Sequence, residues 1–263
     1  MRRKEYKNHT FAICAYKESK YLEECIISLI NQSIKSNIII CTSTPNNYIK
    51  NLSQKYNLKL YIRKGKSNIQ DDWNFAISKC ETDLVTIAHQ DDIYQKEYLE
   101  NIIKKYTGKE LILFTEQLYC INGKPIKDKN IIIKKLLKLP LKTHLCNIRF
   151  IRKLTLAFGN TINCPSVTYN LKLLPKPIFT SNLDYCLDWD TFLKIYSYKG
   201  KIGYISIPLI HFRIHDDATS KTYINNNKRY KEDVTMFNKL WPKWITAIIM
   251  KFYVKCYDVY NNK

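Results

Sequence analysis

Short apolar segments alternate with segments of helical periodicity in the first part of the chain, and this alternation constrains the fold most. The apolar segments cover residues 10–16, 38–41, 58–62 and 84–88. Ungapped apolar runs of this length are typical of strands buried in a parallel sheet. Residues 21–30, by contrast, carry their apolar side chains at helical spacing. The pattern predicts an α/β fold with a parallel sheet and right-handed helical crossovers.

Two loops follow predicted strands and are candidates for ligand contact, because ligands bind beyond the carboxyl ends of strands in such sheets. They cover residues 41–47 and 89–93, and the second contains Asp91 and Asp92. Neighbouring carboxylates repel each other, and a bound divalent cation offsets that repulsion. Mg²⁺ or Mn²⁺ would use these two groups and keep positions open for phosphate oxygens. Alternatively, the two aspartates cap a helix predicted over residues 94–106.

The charge of the chain is strongly positive, with 43 Lys and Arg against 23 Asp and Glu, or +20 in 263 residues. Such a charge attracts nucleic acid, an anionic membrane surface or a phosphate-bearing substrate. We find no zinc-finger or RNA-recognition signature, so a nucleic-acid partner is not expected.

Cysteine usage and hydropathy bear on the cellular location. The nine cysteines include no CxxC pair, which indicates reduced thiols rather than a zinc site or a disulfide framework. No apolar signal core follows the basic first residues, and no stretch reaches the roughly 18–20 apolar residues of a spanning helix. These features predict a cytoplasmic protein.

Four segments, in order, resemble the family-2 glycosyltransferases. Residues 12–32 (AICAYKESKYLEECIISLINQ) are similar to the strand, acidic turn and helix that open that family. Residues 72–92 (DWNFAISKCETDLVTIAHQDD) resemble its pattern ending in paired aspartates. Residues 187–193 (LDWDTFL) and 212–220 (FRIHDDATS) resemble its acceptor-side block and its Arg-x-His loop.

The resemblance implies a GT-A fold and an inverting transfer of a hexosyl group from a metal-bound nucleotide sugar, with Mn²⁺ or Mg²⁺ as cofactor. Asp92 would be the principal metal ligand and Asp91 would contact the ribose or the first sugar. His89 stands where many relatives carry another aspartate. Relatives also carry a base-binding aspartate after the second strand, where this chain has Thr42 and Ser43. A uracil base is therefore the expectation from the family.

The resemblance also assigns the catalytic base and the acceptor contacts. Asp188 would deprotonate the acceptor hydroxyl, with Asp190 as the secondary candidate. Trp189 would stack on a sugar unless it is a core residue. Pro165 and Ser166 would shape the acceptor pocket. Arg213 would stabilise the leaving diphosphate and His215 would complete the metal shell, unless Arg213 only pairs with a neighbouring acid. The implied donor contacts are Ala15, Tyr16, Glu18, Thr42, Ser43, Asp71, Asp91 and Arg213.

Asp71 and Asp72 allow two interpretations. Either could cap the helix that includes Trp73 and Ile77, or supply the missing carboxylate near the base.

The expected organisation is a nucleotide-sugar-binding half (1–110), an acceptor-binding and catalytic half of the same domain (111–225), and a basic amphipathic C-terminal helical tail (226–263). The tail would either contact an anionic membrane, where lipid-linked saccharide acceptors reside, or pack on the domain. The expected function is transfer of a sugar to a saccharide acceptor in surface-polysaccharide synthesis, and two other functions are weighed against it. A nucleotidyltransferase normally has a glycine-rich loop after its first strand, which residues 16–19 lack. The other alternative, a nucleic-acid-binding protein without catalysis, is motivated only by the charge of +20.

Overall fold

A computed structural model of the chain describes residues 4–121, 123–126, 129–215 and 227–257. The strands are β1 (Lys4–Ala15), β2 (Ile34–Thr42), β3 (Lys59–Ile62), β4 (Leu84–His89), β5 (Ile93–Tyr94), β6 (Glu110–Ile121), β7 (Lys124–Pro125), β8 (Val167–Asn170) and β9 (Lys201–Ile214). The α-helices are α1 (Leu22–Ile30), α2 (Asn47–Lys55), α3 (Ile69–Ser78), α4 (Tyr98–Lys105), α5 (Lys129–Leu137), α6 (Arg149–Leu154), α7 (Leu187–Ile195), α8 (Lys228–Asn238) and α9 (Lys243–Tyr253).

The sheet confirms the predicted α/β class. Its strand order is β3-β2-β1-β4-β8-β6-β9-β5, and β7 pairs with β6. The first four strands are parallel, with helices as crossovers between them. β8 then pairs antiparallel with both β4 and β6, which adds the second half of the sheet.

The core of the sheet lies around β1, as its apolar sequence predicts. Phe11, Ala12 and Ile13 are fully buried. Leu22 and Ile26 of α1 are also buried and belong to the same core cluster. Burial of such side chains stabilises the fold by about 1.5–3 kcal/mol each.

One expectation about an element was wrong. The helix expected over 94–106 is the short strand β5 followed by α4. Farther along, residues 110–121 form one continuous strand, β6. The basic segment 131–157 contains α5, α6 and two 3₁₀ turns, and Pro140 lies in the first of these turns.

The chain forms two compact units. Unit 1 comprises residues 1–118, 163–179 and 200–212, and unit 2 comprises 119–162, 180–199 and 213–263. The units therefore interleave along the chain, and the expected division into functional halves and a tail stays a prediction. Strands β8 and β9 are the reason for the interleaving, because they return to the sheet after segments that belong to unit 2.

Two findings concern the membrane and the thiols. No helix in the described ranges has the length and apolar character needed to span a bilayer. The cysteines whose side chains are described are all free thiols.

Candidate active site

The carboxyl ends of β1, β2 and β4 meet at one edge of the sheet in unit 1, as parallel pairing requires. Ala15 at the end of β1 pairs with Thr42 at the end of β2. Cys14 pairs with His89 at the end of β4. Six predicted donor contacts belong to these strand ends or to the loops after them: Ala15, Tyr16, Glu18, Thr42, Ser43 and Asp91.

Hydrogen bonds tie the loop after β1 to its neighbours. The Gln90 side chain accepts from the Tyr16 N–H at 2.9 Å and donates to the Tyr16 carbonyl at 3.0 Å. The Lys17 N–H donates to the Thr44 hydroxyl at 2.6 Å, and Lys17 has a left-handed φ of 52°. The Tyr16 ring is 47% exposed, with Lys17 Nζ 5.1 Å from its centroid, and Glu18 is exposed. Sequence reasoning missed Gln90, although it lies inside the quoted family-like segment.

Asp91 and Asp92 form a tight turn directly after β4. The Asp92 N–H donates to the His89 carbonyl at 3.2 Å, and the Ser19 hydroxyl donates to Asp91 Oδ1 at 3.1 Å. Asp92 is only 2% exposed. The capping alternative is wrong, because α4 begins later and its N-cap residue is Glu97.

The carboxylate pair fits a divalent cation bound together with a diphosphate. Within the described ranges, no three His, Cys, Asp or Glu side chains cluster as a metal site. Mg²⁺ and Mn²⁺ in nucleotide sites do not require such a cluster, since one or two carboxylates suffice and phosphate oxygens complete the shell. The hard oxygen donors of Asp91 and Asp92 match that mode of binding.

The Asp72 carboxylate joins two loops at the same edge. It accepts from Arg63 Nε at 2.6 Å, from the Ser43 hydroxyl at 2.8 Å and from the Ser67 hydroxyl at 3.0 Å. These bonds connect the loop after β2 with the segment between β3 and α3. A carboxylate therefore does lie beside Ser43, but it comes from α3 rather than from the loop after β2. Nothing in the sequence pattern pointed to Arg63.

The capping interpretation of Asp71 and Asp72 was wrong. Asn68 is the N-cap of α3, and its side chain accepts from the Asp71 N–H at 3.1 Å. Asp71 occupies the first turn with its side chain exposed. Acidic residues in the first turn favour the helix through its dipole.

His89 is a neutral residue against an aromatic ring. Its ring lies 5.2 Å from that of Trp73, which in turn packs against Phe179. Burial lowers the pKa of His89 to about 4, although the charge of Asp91 opposes that shift. His89 therefore adds no positive charge beside the carboxylate pair at neutral pH.

Pro165 and Ser166 lie just before β8, which pairs with β4 through Thr168 and Thr86. Both are buried. The Ser166 hydroxyl donates to the Asn163 carbonyl at 2.7 Å. Their side chains are therefore part of the buried interior at this edge of the sheet, and their role in shaping an acceptor pocket stays a prediction.

Asp188 lies in the first turn of α7 in unit 2. Its carboxylate accepts from Asn160 Nδ2 at 2.9 Å and from the Trp189 N–H at 2.7 Å. Burial raises the pKa of Asp188 to about 6, although these bonds and the charge of Lys134 favour the ionised form. Such a group is ionised at pH 7 yet more basic than an exposed aspartate, which suits a general base.

Asp190 is held in ion pairs instead. Its carboxylate lies 2.6 Å from Lys239 Nζ and 3.0 Å from Lys194 Nζ. Burial opposes its ionisation, but hydrogen bonds from Lys239, Ser181 and Lys194 outweigh burial and hold the pKa of Asp190 below its usual value. The Asp188 carboxylate therefore accepts from neutral donors, whereas the Asp190 carboxylate is paired with two lysines.

Trp189 is the core residue that the sequence left as an alternative. It is 1% exposed, its indole N–H donates to the Leu156 carbonyl at 3.1 Å, and its ring packs 5.1 Å from that of Phe237. No ring face remains for a sugar, so the structure corrects its assignment as a stacking platform.

Arg213 and His215 are the described part of the Arg-x-His loop. Arg213 is near the end of β9, which stops at Ile214, and His215 follows it. Residues 216–220 of the predicted loop lie outside the described residues. The roles of Arg213 and His215 therefore stay predictions.

We expect Gly159→Ala to destabilise unit 2. Gly159 has φ +131°, and an added Cβ would lie 2.7 Å from Tyr253 Cε2. Strain and overpacking together should cost about 2–5 kcal/mol of unfolding free energy. Urea unfolding measures this. Gly108→Ala is the control, because Gly108 has φ +87° with nothing within 4 Å of a Cβ, so only backbone strain applies. Equal losses in both variants would contradict close packing at Gly159.

The fold and the carboxylate pair together define a class, the GT-A glycosyltransferases that use nucleotide sugars. The model of glycosyl transferase family 2 matches residues 10–166. The chain therefore belongs to glycosyl transferase family 2 and is a glycosyltransferase. This membership decides against the nucleotidyltransferase alternative. By sequence alone, no curated protein matches the chain significantly.

Solved structures support the fold. S. aureus TarS 1-349 in complex with UDP-GlcNAc superimposes with a TM-score of 0.65 at 16% identity, covering 96% of this chain and 72% of that one. The mannosyltransferase PcManGT from Pyrobaculum calidifontis, in complex with GDP-Man and Mn²⁺, gives 0.60 at 14% identity, covering 96% and 70%. Glucosyl-3-phosphoglycerate synthase from Mycobacterium tuberculosis, with Mn²⁺ and UDP-glucose, gives 0.54 at 12% identity, covering 89% and 79%. At these identities the likeness shows a common GT-A fold.

Proposed function

We propose that this enzyme transfers a sugar, with inversion, from a nucleoside-diphosphate donor to a saccharide acceptor during synthesis of a surface polysaccharide such as a capsule or lipopolysaccharide. The observation that carries the proposal is the Asp91–Asp92 turn directly after β4, with Asp92 buried at the edge where β1, β2 and β4 end. Inversion follows from the family resemblance.

The donor contacts divide by chemistry. Asp92 holds Mn²⁺ or Mg²⁺, and Asp91 contacts the ribose or the first sugar. When bound, the cation neutralises charge on the leaving diphosphate. Tyr16 offers an exposed aromatic face, and Ser43 lies beside the Asp72 carboxylate. Uracil is the first base to test, since two of the three structures compared above hold uridine nucleotides.

The remaining roles belong to residues of unit 2. Asp188 takes the proton of the acceptor hydroxyl as that oxygen attacks the anomeric carbon. Arg213 stabilises the leaving diphosphate, and His215 contributes to the metal shell.

A thermal-shift panel tests the donor assignment. The probes are UDP-glucose, UDP-galactose, UDP-N-acetylglucosamine and GDP-mannose, each with Mn²⁺ and with EDTA. Stabilisation grows with the ratio of ligand to dissociation constant, so the true donor should raise Tm only when Mn²⁺ is present. No shift with any probe, or equal shifts in EDTA, would contradict the donor site.

We expect the transfer rate to fall as the pH drops below about 6. The base must be ionised, so protonation of Asp188 removes activity, and the raised pKa moves this loss up from the range near pH 4 of an ordinary aspartate. The rate–pH profile from pH 5 to 8 measures it. The residual rate of Asp188→Asn should lack this limb; an identical limb in that variant would assign it to another group.

We further propose that the enzyme works in the cytoplasm at the inner membrane face, where α9 contacts anionic lipid. Trp244, Ile248 and Phe252 lie on successive turns of α9 and are 67%, 49% and 67% exposed. Thr246 and Met250 on the opposite face are buried. An exposed apolar row among lysines is the pattern of a helix lying in a bilayer interface. A lipid-linked saccharide acceptor would suit this location.

Vesicle flotation tests the membrane contact. Wild type should float with phosphatidylglycerol-rich vesicles and less with pure phosphatidylcholine, whereas Trp244→Ser/Phe252→Ser should stay at the bottom. Ile207→Ser in β9 is the control, because Ile207 is 49% exposed but lies outside α9. Equal flotation of the double variant and wild type would remove α9 from the proposal.

A further inference from the structure

The segment that leads into α7 is held by a side chain of the C-terminal region. The Glu232 carboxylate accepts three backbone N–H groups, from Asp184 at 3.2 Å, Tyr185 at 2.8 Å and Cys186 at 2.9 Å. Cys186 is the N-cap of α7 and makes no capping bond with its own side chain. Glu232 is 7% exposed, so these are buried contacts. A carboxylate here also interacts favourably with the positive end of the α7 dipole.

A second acidic residue of α8 holds the same segment. The Cys186 thiol donates to Asp233 Oδ1 at 3.4 Å. The Arg229 guanidinium lies 3.6 Å from Asp233 and packs over the rings of Tyr185 and Tyr257, at 4.9 and 4.1 Å. Arg229 is 5% exposed and offsets the charge of the neighbouring acids. The turn before α7 is therefore fixed by buried charge-assisted contacts to one helix.

The C-terminal region also supports the partner of Asp188. Asn160, which donates to the Asp188 carboxylate, follows Gly159 in the chain. Gly159 packs directly against the Tyr253 ring of α9, with no room for a Cβ. Both α8 and α9 therefore contact elements that orient Asp188.

We propose that Glu232 is a positioning residue for transfer, which fixes the N-terminus of α7 and thereby the placement of Asp188. The inference rests on the proposed role of Asp188 as the base. Asp188 lies two residues beyond the last N–H that Glu232 accepts, so displacement of this turn displaces the carboxylate. Errors of about 1 Å in placement lower rates by about a hundredfold. Helices α8 and α9 are then part of the catalytic unit rather than an appended tail.

The test measures transfer by full-length Glu232→Ala and Glu232→Gln, with the nucleotide sugar that stabilises wild type most in the panel above. For Glu232→Ala, kcat per folded molecule should fall about ten- to hundredfold with the donor KM unchanged. Glu232→Gln should recover part of the rate, because its amide oxygen can still accept from Tyr185 and Cys186. Met236→Ala, a buried position on the same helix, is the control for general destabilisation and should keep its kcat per folded molecule.

A double variant separates positioning from a general structural effect. If Glu232 acts through Asp188, adding Glu232→Ala to Asp188→Asn should lower the residual rate by less than about twofold, because residues that act as a unit are not additive. Full additivity, or a Glu232→Ala kcat equal to wild type, would overturn the inference. If Asp188→Asn itself kept full transfer, the base assignment would fail and the positioning role with it. If Asp188→Asn lost transfer but Glu232→Ala kept the wild-type kcat, only the positioning role of Glu232 would be overturned.

Discussion

Asp188→Asn should lose about 10²- to 10⁴-fold in transfer rate while it still binds the donor. The amide cannot accept the proton of the acceptor hydroxyl, whereas the donor contacts proposed at the ends of β1, β2 and β4 are untouched. Initial-rate kinetics should therefore show a fall in kcat with little change in the donor KM, and Mn²⁺-dependent thermal shifts should remain.

Asp184→Asn is the matched control for that variant. Asp184 precedes α7 by three positions, is exposed and pairs with Lys228 at the surface. Its substitution should change the rate by less than about threefold, because exposed ion pairs contribute little. Wild-type transfer by Asp188→Asn, or an equal loss in Asp184→Asn, would remove Asp188 from the chemistry.

Asp92→Asn should abolish Mn²⁺-dependent donor binding and lower transfer by about 10³-fold or more. The neutral amide is a weak ligand for a hard cation, and the charge stabilisation that this cation supplies is worth several kcal/mol, with 1.36 kcal/mol per factor of ten. The thermal shift produced by UDP with Mn²⁺ should shrink to the shift seen in EDTA.

Glu97→Gln is the control for Asp92→Asn. Glu97 is an exposed carboxylate in the same connection between β4 and α4, and it makes no capping hydrogen bond with its side chain. Its loss should leave both the Mn²⁺ dependence and the rate unchanged. A full Mn²⁺-dependent shift in Asp92→Asn would show that another group holds the cation.

The parallel half of the sheet could be predicted from the sequence because its information is local. Each of β1, β2 and β4 contains an apolar run that signals a buried strand, and the edge where they end follows from parallel pairing alone. The placement of Asp91 and Asp92 beyond β4 was predictable for the same reason. The structure was needed to exclude their alternative role as helix caps, because it shows that α4 begins later in the chain.

The contacts around Asp188 could not be predicted, because they join residues far apart in the chain. Asn160 lies 28 residues before Asp188 in the chain. Glu232 lies 46–48 residues after the three backbone N–H groups that it binds. No local pattern marks such partners. Sequence periodicity likewise could not decide whether Trp189 packs in the core or stacks on a sugar, because an aromatic side chain is suited to either environment.

The C-terminal segment shows the limit of an amphipathic pattern. Its apolar positions were interpreted as a membrane face or a packing face. The structure contains both buried and exposed apolar positions in this segment. Met236 and Phe237 of α8 are fully buried, whereas Trp244 and Phe252 of α9 are exposed. Point substitutions in α9 are therefore better tests than truncation, which would also remove Tyr253 from Gly159.

The most direct measurement is the release of nucleoside diphosphate from the preferred donor by enzyme freed of metal with EDTA, followed by titration with Mn²⁺. We predict no release above background in EDTA, saturable recovery with Mn²⁺, and no recovery in Asp92→Asn. Full-rate release in excess EDTA would contradict a cation held by the two aspartates after β4.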